Sequence, residues 1–397
     1  MLIVLILATA KGGVLILSTE SNEGAFAVKD LEGGFCFVGR RSTGRHGYDA
    51  LLGVCQGGGC KAFEVGTRQD DFSYSLETAG KHCLALLTLS YENSAHLALL
   101  SFNNRGVEKV ISFGGAERDM GWYIKRVRDG YLVIGGVEGR DWDILAVKFD
   151  DNLLPLWARR FGTAHDEYGY SVAELKGLYY IVGRTSFRGN WDGFILVVDG
   201  NGNVVSSWVV GSDAKDYLRY VGLYEGRIIA VGRSEVGGTS DLLIVDPFNN
   251  RYRLIDGGDF DYGRFFVEGD GVIIVGGDTG GRGSLNGFFL TLTGDLKPLL
   301  GIELGGNDVE SIRFMSEGGY FAGYTYSFSF DNDILIGRID THCSGFMKAI
   351  DFRQKGGRID FFRFPVLVLD YPVKIYDEEL KINSLSLEIF SACRRQE

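Results

Sequence analysis

A short motif recurs along most of the chain at an interval near 48 residues, and this repeat restricts the possible folds more than any other feature. Each copy is an apolar run that ends in glycine, as in FCFVGR and YYIVGR, and the glycines are Gly39, Gly135, Gly183, Gly232, Gly276 and Gly323. The intervals between them are 96, 48, 49, 44 and 47 residues, and the first equals two periods because Leu87 takes the glycine position in CLALLTLS. The sequence therefore contains seven copies of one unit.

Two further markers keep the same register. A polar residue precedes the apolar run that follows each glycine motif, and this series is Asp49, His96, Asp143, Asp192, Asp241, Asn286 and Asp333. A polar turn then leads into an aromatic-rich segment, and its acidic residues are Asp70, Asp71, Asp119, Asp166, Asp216, Asp261 and Asp308. Three markers in step favour one structural unit repeated along the chain.

Each copy divides into four short strands separated by glycine-rich turns. In the fourth copy these are YGYSVAEL, LYYIVGRT, GFILVVD and VVSSWVV, and the two middle segments are almost continuously apolar. A strand of that kind is covered on both faces. The 58 glycines against 5 prolines suit a chain of tight hairpins. The pattern predicts an all-β fold, the β-propeller, in which four-stranded antiparallel blades surround a central axis.

Closure of the ring decides the number of blades. Residues 1–20 contain two apolar segments joined by a Lys-Gly-Gly turn, and residues 356–373 contain two more. Together they predict an eighth blade formed by both ends of the chain, within one domain that spans residues 1–397, because a propeller must not leave open edges. Seven blades with the terminal strands outside the ring is the alternative. In either arrangement, residues 365–397 are expected to cap or bracket the closure.

The loops on one face of the expected ring carry the candidate binding residues. Arginines cluster between second and third strands, at Arg40, Arg41, Arg45, Arg140, Arg184, Arg188, Arg233 and Arg282, and the acidic turns lie on the same face. These charges indicate either surface ion-pair networks or a mixed-charge binding face. The candidates for a binding face are Arg40, Arg184, Arg188, Arg233, Trp142, Trp191, Asp119, Asp166 and Asp216. The two tryptophans are expected either to pack against turns or to form an aromatic rim.

Neither metal nor cofactor chemistry is indicated. DGNGN at residues 199–203 resembles the first half of a calcium loop, but it lacks the downstream glutamate and precedes a strand, so it predicts a hairpin turn. The five histidines show no zinc-site spacing, and there is no nucleophile elbow or phosphate loop. We expect no metal and no cofactor. Each aspartate before a third strand is expected to accept backbone N–H groups of its own turn.

The six cysteines leave the cellular compartment open. Cys55 and Cys60 flank a glycine turn, which allows either a hairpin disulfide or two free thiols. Cys36 and Cys83 occupy equivalent positions of successive copies on apolar strands, and we interpret them as small buried apolar residues. A cytoplasmic location is expected if Met1 is the true start, and a cell-surface location if a signal peptide precedes it.

The unit resembles the repeat of an uncharacterised family of archaeal and bacterial propeller proteins. The copy nearest to that pattern is DGYLVIGGVEGRDWDILAVKFDDNLLPLWARRFGTAHDEYGYSV, which begins at Asp129, and the resemblance extends over about residues 21–364. It implies a propeller fold but no particular activity, because propellers host many functions. The composition suggests a thermophilic archaeon.

The net charge of −11 argues against a general nucleic-acid binder, and we expect no membrane insertion. A complete repeat without a reactive constellation favours a non-enzymatic scaffold of unknown specificity that binds a protein or a glycan. The alternatives are a hydrolase or lyase in the central channel and a cell-surface adhesion module. A cluster of Arg, Asp and Tyr from non-equivalent positions at the axial mouth would favour an enzyme, and an even ring of equivalent residues would favour a structural role.

Overall fold

The computed structural model describes residues 14–18, 21–44, 47–115, 117–281, 284–305, 308–327, 331–339, 347–350, 353–356, 358–363, 365–376, 381–385 and 388–391. Within these residues the fold is all-β, as predicted, apart from two short 3-10 segments, Val236–Gly238 and Pro247–Asn249. No helix in these ranges is long and apolar enough to cross a membrane. Arg45 and Arg282 lie outside the described residues.

The strands form antiparallel sheets of one repeated design. There are five sheets of five strands and one of ten, and the ten-stranded sheet divides into two five-stranded units that share one parallel pair, Arg118 with Ala95. Five sheets and these two units make seven, which we number sheets 1 to 7 in chain order from residue 23. In sheets 1 to 6 four consecutive strands lie side by side, and in sheet 7 three consecutive strands are completed by Leu15–Ser18. The prediction of four-stranded antiparallel units is confirmed.

Each sheet runs from a first to a fourth strand in antiparallel order. The first strands are Glu23–Leu31, Phe72–Ala79, Arg118–Val127, Glu167–Leu175, Asp216–Tyr224, Phe260–Gly269 and Glu310–Met315. The second strands are Gly34–Ser42, His82–Ser90, Gly130–Glu138, Leu178–Thr185, Arg227–Ser234, Val272–Gly281 and Tyr320–Thr325. The third strands are Tyr48–Gln56, Ala95–Asn103, Trp142–Phe149, Asp192–Val198, Asp241–Asp246, Ser284–Thr293 and Asp333–Arg338. The fourth strands are Gly59–Gly66, Gly106–Gly114, Pro155–Gly162, Val204–Gly211, Arg251–Asp256, Pro298–Leu304 and Leu15–Ser18.

The first strands of successive sheets pack against one another. The first strand of sheet 1 contacts that of sheet 2, and these contacts continue in order through sheet 7, whose first strand contacts that of sheet 1. The series of contacts therefore returns to its start. Side chains from all of the first strands line one central space.

Burial changes from the middle of each sheet to its outer edge. Every residue of the third strand Asp192–Val198 is buried, whereas the fourth strand Val204–Gly211 leaves its first half partly exposed. The second and third strands read as continuous apolar runs because neighbouring sheets cover both of their faces. Apolar contact between sheets is therefore the main source of stability in this fold.

The C-terminal segment adds a fifth strand to every sheet, and we call these strands the belt. They are Met347–Ile350 on sheet 6, Arg353–Lys355 on sheet 5, Asp360–Arg363 on sheet 4, Leu367–Asp370 on sheet 3, Lys374–Tyr376 on sheet 2, Lys381–Leu385 on sheet 1 and Glu388–Ser391 on sheet 7. Each begins opposite the last residue of a fourth strand and runs antiparallel to it. From Arg353 onward a belt strand begins at every seventh residue. The belt thus pairs edge groups that a four-stranded sheet leaves open.

The described strand pairs differ from the predicted eighth blade. Residues 360–363 and 367–370, which we expected to pair with each other, pair instead with the fourth strands of sheets 4 and 3. The N-terminal strand Leu15–Ser18 pairs with Asp333–Arg338 and with a belt strand. Sheet 7 draws only three strands from its own stretch of chain, and its open edge offers unpaired N–H and C=O groups to the N-terminal strand. The apolar segment before residue 14 lies outside the described residues.

Two disulfides join four of the cysteines. Cys55 and Cys60 stand opposite each other in the hairpin of sheet 1 and are bonded, which is one of the two expected states. The interpretation of Cys36 and Cys83 as unpaired apolar residues is wrong, because they form a disulfide between the second strands of sheets 1 and 2. Equivalent positions of adjacent sheets bring their Cα atoms to 6.5 Å, within the range of a disulfide. Cysteines 343 and 393 lie outside the described residues.

Candidate functional site

A β-bulge interrupts every first strand at the same place. In sheet 4 the register against the second strand shifts between Gly169 and Ser171, so that Tyr170 is an extra residue. The same shift occurs in the other sheets. In sheet order, these bulge residues are Phe26, Tyr74, Trp122, Tyr170, Arg219, Arg264 and Arg313. A bulge redirects a side chain out of the regular ladder, and bulges are frequent next to functional sites.

The bulge residues line a single space at the centre of the molecule, which we call the axial chamber. It is a small space that is partly open to solvent. Tyr123, Tyr220 and Phe314, each the residue after a bulge, also line it. The ring centroid of Tyr220 lies 6.1 Å from that of Tyr123 and 5.9 Å from that of Phe314. We call these three neighbouring rings the aromatic floor.

The repeated glycine of the sequence motif is a consequence of the bulge. Gly183 pairs with Gly169 beside the bulge of sheet 4, and a Cβ on Gly183 would lie 1.8 Å from the carbonyl oxygen of Tyr168. In five other sheets the equivalent glycine would meet an equivalent carbonyl at 1.7 to 2.1 Å, and these glycines are Gly39, Gly135, Gly232, Gly277 and Gly323. In sheet 6 the residue is Gly277, one place beyond the glycine that the sequence motif indicated. The motif therefore marks where a side chain turns into the chamber.

Four neighbouring bulge residues form an aromatic wall of the chamber. Phe26 stacks on Tyr74 with 5.0 Å between ring centroids, and Tyr74 stacks on Trp122 at 5.1 Å. Trp122 meets Tyr170 edge to face at 5.9 Å. The Nε1 atom of Trp122 is buried and has no hydrogen-bond partner among the described residues. Because the rings stack on one another, this wall offers ring edges and one N–H donor.

The other three bulge residues form an arginine wall. The guanidinium of Arg219 lies 4.6 Å from the ring centroid of Tyr170, so the two walls meet there. Arg264 forms an ion pair with Asp278. Among the described residues, no carboxylate lies within ion-pair distance of Arg219 or of Arg313. Two of the three guanidiniums are therefore held without a neutralising partner from the described chain.

The arginine wall carries an uncompensated positive charge. Burial and then the charge of Arg264 lower the pKa of the Arg313 guanidinium. Arg313 Nη2 donates to Tyr324 Oη at 2.8 Å, but its Nε is buried without a partner in the described part of the chain. Arginine stays protonated in proteins, so the lowered pKa reports electrostatic strain rather than loss of the proton. Among the described residues, three guanidiniums face the single carboxylate of Asp278, which leaves two positive charges in a chain whose net charge is −11.

Several residues selected from the sequence come together beside the chamber. The guanidinium of Arg184 lies 4.3 Å from the Trp191 ring and 4.7 Å from the Tyr168 ring. Trp142 stacks on Tyr168 with 5.4 Å between centroids. Tyr168 stands two residues before Tyr170 of the aromatic wall. Both tryptophans thus pack on one tyrosine, in a cluster that adjoins the chamber.

Arg40 and Arg233 occupy the position in their second strands that corresponds to Arg184, and both also stack on rings. Arg40 lies 4.2 Å from the ring centroid of Tyr48 and 5.6 Å from that of Phe26 in the chamber. Arg233 lies 4.5 Å from the ring centroid of Tyr217. Three of the four arginines predicted for a binding face therefore stack on aromatic rings, and Arg40 and Arg184 reach rings that line the chamber, Phe26 and Tyr170.

The remaining candidate residues lie away from the chamber. Arg188 pairs with Asp192 at 3.5 Å and stacks on Phe362 of the belt, with 3.8 Å from the guanidinium to the ring centroid. Asp166 Oδ1 accepts the backbone N–H of Trp142 at 3.1 Å. Asp119 and Asp216 are fully buried in turns. These four residues hold loops and turns together.

A buried carboxylate closes the turn that leads into every first strand. Glu167 Oε2 accepts the N–H of Thr163 at 2.7 Å, and its Oε1 accepts the hydroxyls of Thr163 at 2.8 Å and Thr185 at 2.7 Å. The equivalent residues, each three before a bulge residue and at most 2% exposed, are Glu23, Asp71, Asp119, Asp216, Asp261 and Glu310. Asp166 and Asp308, which the sequence analysis assigned to this series, are not members of it. The buried acid is a glutamate that follows one or two places later.

Burial raises the pKa of several of these turn acids. The pKa rises to about 7 in Asp71 and Glu167, and to about 6 in Asp119 and Asp261. Such shifts often mark catalytic groups. Here each shifted carboxyl group accepts hydrogen bonds within its own turn, which indicates a structural role.

Three of the aspartates before the third strands pair with cations rather than with the backbone N–H groups of their own turns as predicted. The partners of Asp143, Asp192 and Asp241 are Arg160, Arg188 and Lys355. Oxygens of Asp241, Asp256 and Asp261 lie within 4.8 Å of one another, which is the spacing of a metal site. The ammonium of Lys355, from the belt, lies 2.8 Å from Asp241 Oδ2 and supplies the positive charge in that group.

The calcium-like stretch is a hairpin turn, as predicted. Asp199 Oδ1 accepts the backbone N–H groups of Asn201 and Asn203, each at 2.9 Å. The turn joins the third and fourth strands of sheet 4.

The bulge residues were not predicted from the sequence. The repeat markers are residues that all copies share, whereas the bulge residues differ from copy to copy. Two signals in the sequence locate them: each lies three residues after a turn acid, and nearly all lie opposite the motif glycine in the hairpin.

No family model matches the chain. A protein of Aquifex aeolicus (strain VF5) named "Uncharacterized protein" is 34% identical over 325 residues, which cover 82% of this chain and 90% of that protein. The similarity extends over most of both chains. The chain therefore belongs to the same family as this Aquifex aeolicus protein.

Proposed function

We propose that the seven sheets are the blades of a β-propeller, and that this propeller binds a small ligand in its axial chamber without converting it. Two observations support the ring. The contacts between first strands return to their start, and the N-terminal strand completes the last sheet. Both are properties of propellers whose ends are joined within one blade.

The observation that carries the binding function is the convergence of the bulge residues. A bulge disrupts the strand ladder, and seven of them at equivalent positions direct seven side chains into one space. Packing alone would be satisfied by the same apolar residue in every blade. The chamber instead presents two chemistries on opposite arcs, which is the arrangement of a site that orients a ligand.

Catalysis is the weaker interpretation of this chamber. A hydrolase or lyase needs a nucleophile or a general base in reach of the substrate. Within the described residues, the carboxyl groups with raised pKa are the turn acids and the ion-paired aspartates before third strands, which do not line the chamber. Asp278 is engaged by Arg264 and by the Ser311 hydroxyl at 2.6 Å. The positions favour retention of a ligand over its turnover.

A thermal-shift screen of single-ring compounds with positive, neutral and negative substituents tests the proposed function. We expect at least one compound to raise the melting temperature of the wild type and of Arg251→Ala, a partly exposed arginine on a fourth strand. The same compound should not stabilise the double variant Tyr74→Ala, Arg219→Ala. Chromatography should recover the compound unchanged. Conversion of the compound, or equal stabilisation of the double variant, would contradict the proposal.

A further inference from the structure

We infer that the ligand of the axial chamber is a compact ring compound that carries an oxyanion, phosphate or carboxylate, at one edge. This inference rests on the proposed binding function and names the class of ligand. The ring comes from either an aromatic compound or a sugar, since both present a flat face to an aromatic wall.

The arginine wall requires the oxyanion. Three consecutive sheets supply one guanidinium each, and Asp278 is the carboxylate that engages this wall. The contacts of Arg219 with the rings of Tyr170 and Trp122, at 4.6 and 6.0 Å, orient its guanidinium without neutralising it. The buried Nε of Arg313 adds a donor without a partner among the described residues. A planar guanidinium fork matches phosphate and carboxylate oxygens, which makes an oxyanion the complementary group.

The aromatic wall requires the ring. Tyr74 and Trp122 are part of the chamber lining, and because each is stacked on its neighbour, a ligand ring meets their edges, in the edge-to-face arrangement that aromatic pairs favour. An anion without a ring would leave this wall unused. A ring without an anion would leave the guanidiniums unpaired in a partly desolvated space. A cationic ring would be repelled by the arginine wall, which outweighs the attraction of cations to aromatic faces in this arrangement.

The size of the chamber limits the ligand to a compact molecule. The space is small and partly open to solvent, and the aromatic floor of Tyr123, Tyr220 and Phe314 takes up part of its lining, so it admits at most one substituted ring. A protein side chain or a long glycan would not enter fully. If the source is a glycan, the chamber takes its terminal acidic sugar.

Isothermal titration calorimetry with four probes tests the inference. The probes are phenyl phosphate, glucose 1-phosphate, benzylamine and inorganic phosphate. At least one ring phosphate should bind about tenfold more tightly than inorganic phosphate, and benzylamine should not bind. The tighter of the two ring phosphates identifies the aromatic or the sugar source.

Three variants assign the binding to the two walls. Arg219→Gln should lower the affinity for the ring phosphate by about tenfold or more, and the affinity of Arg219→Lys should lie between those of Arg219→Gln and the wild type. Trp122→Leu should lower the affinity for the ring phosphate but not that for inorganic phosphate. Arg251→Gln, outside the chamber, should leave every affinity unchanged.

The outcomes separate the inference from the proposed function. Binding of benzylamine that matches or exceeds that of the ring phosphates would overturn the inference and leave a ligand-binding chamber intact. An unchanged affinity for the ring phosphate in both Arg219 variants would do the same. If none of the probes binds and no ring compound stabilises the wild type, both the inferred ligand class and the proposed binding function are wrong.

Discussion

Two positions that lie three residues apart, at the turn into every first strand and at its bulge, behave in opposite ways. At the earlier position all seven sheets carry an acid, from Glu23 to Glu310, and every one is buried. At the later position four sheets carry an aromatic ring and three carry arginine. The backbone conformation is the same at each, since the turn and the bulge recur in all sheets. A residue type that is the same in every sheet, such as the turn acid, stabilises the sheet itself. A position whose residue type varies while its backbone conformation stays the same, such as the bulge, is free to serve ligand binding.

The C-terminal segment that forms the belt contacts the turn acids. Tyr371, directly after a belt strand, donates its Oη hydrogen to the turn acid Asp119 at 2.6 Å, and Lys355 pairs with Asp241 beside the turn acid Asp261. The belt therefore contacts the acidic network at the rim of the sheets, while the chamber at the axis is built from first strands. We therefore expect substitutions of the turn acids to lower stability, and substitutions of the bulge residues to affect ligand binding instead.

The largest effect is expected from the glycine that permits the bulge. Gly183→Ala places a Cβ 1.8 Å from the carbonyl oxygen of Tyr168, and backbone atoms must move. We expect a loss of about 3 kcal/mol in the free energy of unfolding, measured by urea denaturation. Gly200→Ala is the control, because its Cβ would meet nothing within 4 Å. Equal stability of the two variants would show that the bulge does not depend on glycine.

The next effect concerns the invariant position. Glu167→Ala removes the acceptor for the Thr163 N–H and for two hydroxyls in a fully buried turn. We expect a loss of about 2 kcal/mol in the same measurement, because buried donors remain without partners. A change below about 0.5 kcal/mol, the usual size for surface substitutions, would contradict the structural role of the turn acids.

The pH dependence of stability should also follow the turn acids. Burial raises the pKa of Asp71 to about 7 from an ordinary value of 3.8, so between these pH values the folded chain holds a proton that the unfolded chain has released. The contribution of this group to the free energy of unfolding is fully present when the pH is below 3.8, its pKa in the unfolded chain, and it is lost as the pH rises to about 7, its pKa in the folded chain. The free energy of unfolding should therefore be higher at pH 5 than at pH 8, by about 1 kcal/mol or more. Asp71→Asn should reduce this difference, and a stability that rises from pH 5 to pH 8 would refute the assignment.

The smallest effect on stability is expected at the variable position. Arg219 makes no ion pair with the described residues, so Arg219→Ala should change the free energy of unfolding by less than about 0.5 kcal/mol or raise it. Urea denaturation of this variant and of Glu167→Ala under the same conditions compares the free energy of unfolding lost at the bulge position with that lost at the turn-acid position. A loss at Arg219 as large as that at Glu167 would mean that the bulge residues serve packing.

The repeat made the four-stranded unit predictable, because each apolar run and turn follows from local sequence and from burial on both faces. The motif glycine was visible for the same reason, although its cause, the carbonyl of Tyr168 or its equivalent, appears only when the hairpin is formed. The belt was not predictable, since its strands are three to five residues long and take their partners from every sheet. The Cys36–Cys83 bond depends on the distance between neighbouring sheets, which no local pattern encodes.

The candidate site was predictable only in part. Arg40, Arg184 and Arg233 were among the arginines predicted to bind, and the first two contact rings that line the chamber. The walls themselves were missed, because the identities of Trp122 and Arg219 carry no common pattern. Their convergence comes from the ring of first strands, and a single strand gives no sign of it.

A crystal structure of the protein with phenyl phosphate would show whether the axial chamber binds a ring oxyanion. We expect the ring against Tyr74 and Trp122, and phosphate oxygens within hydrogen-bond distance of Arg219 and Arg313. Density for the compound outside the chamber, or bulge side chains that point away from one another, would contradict this expectation.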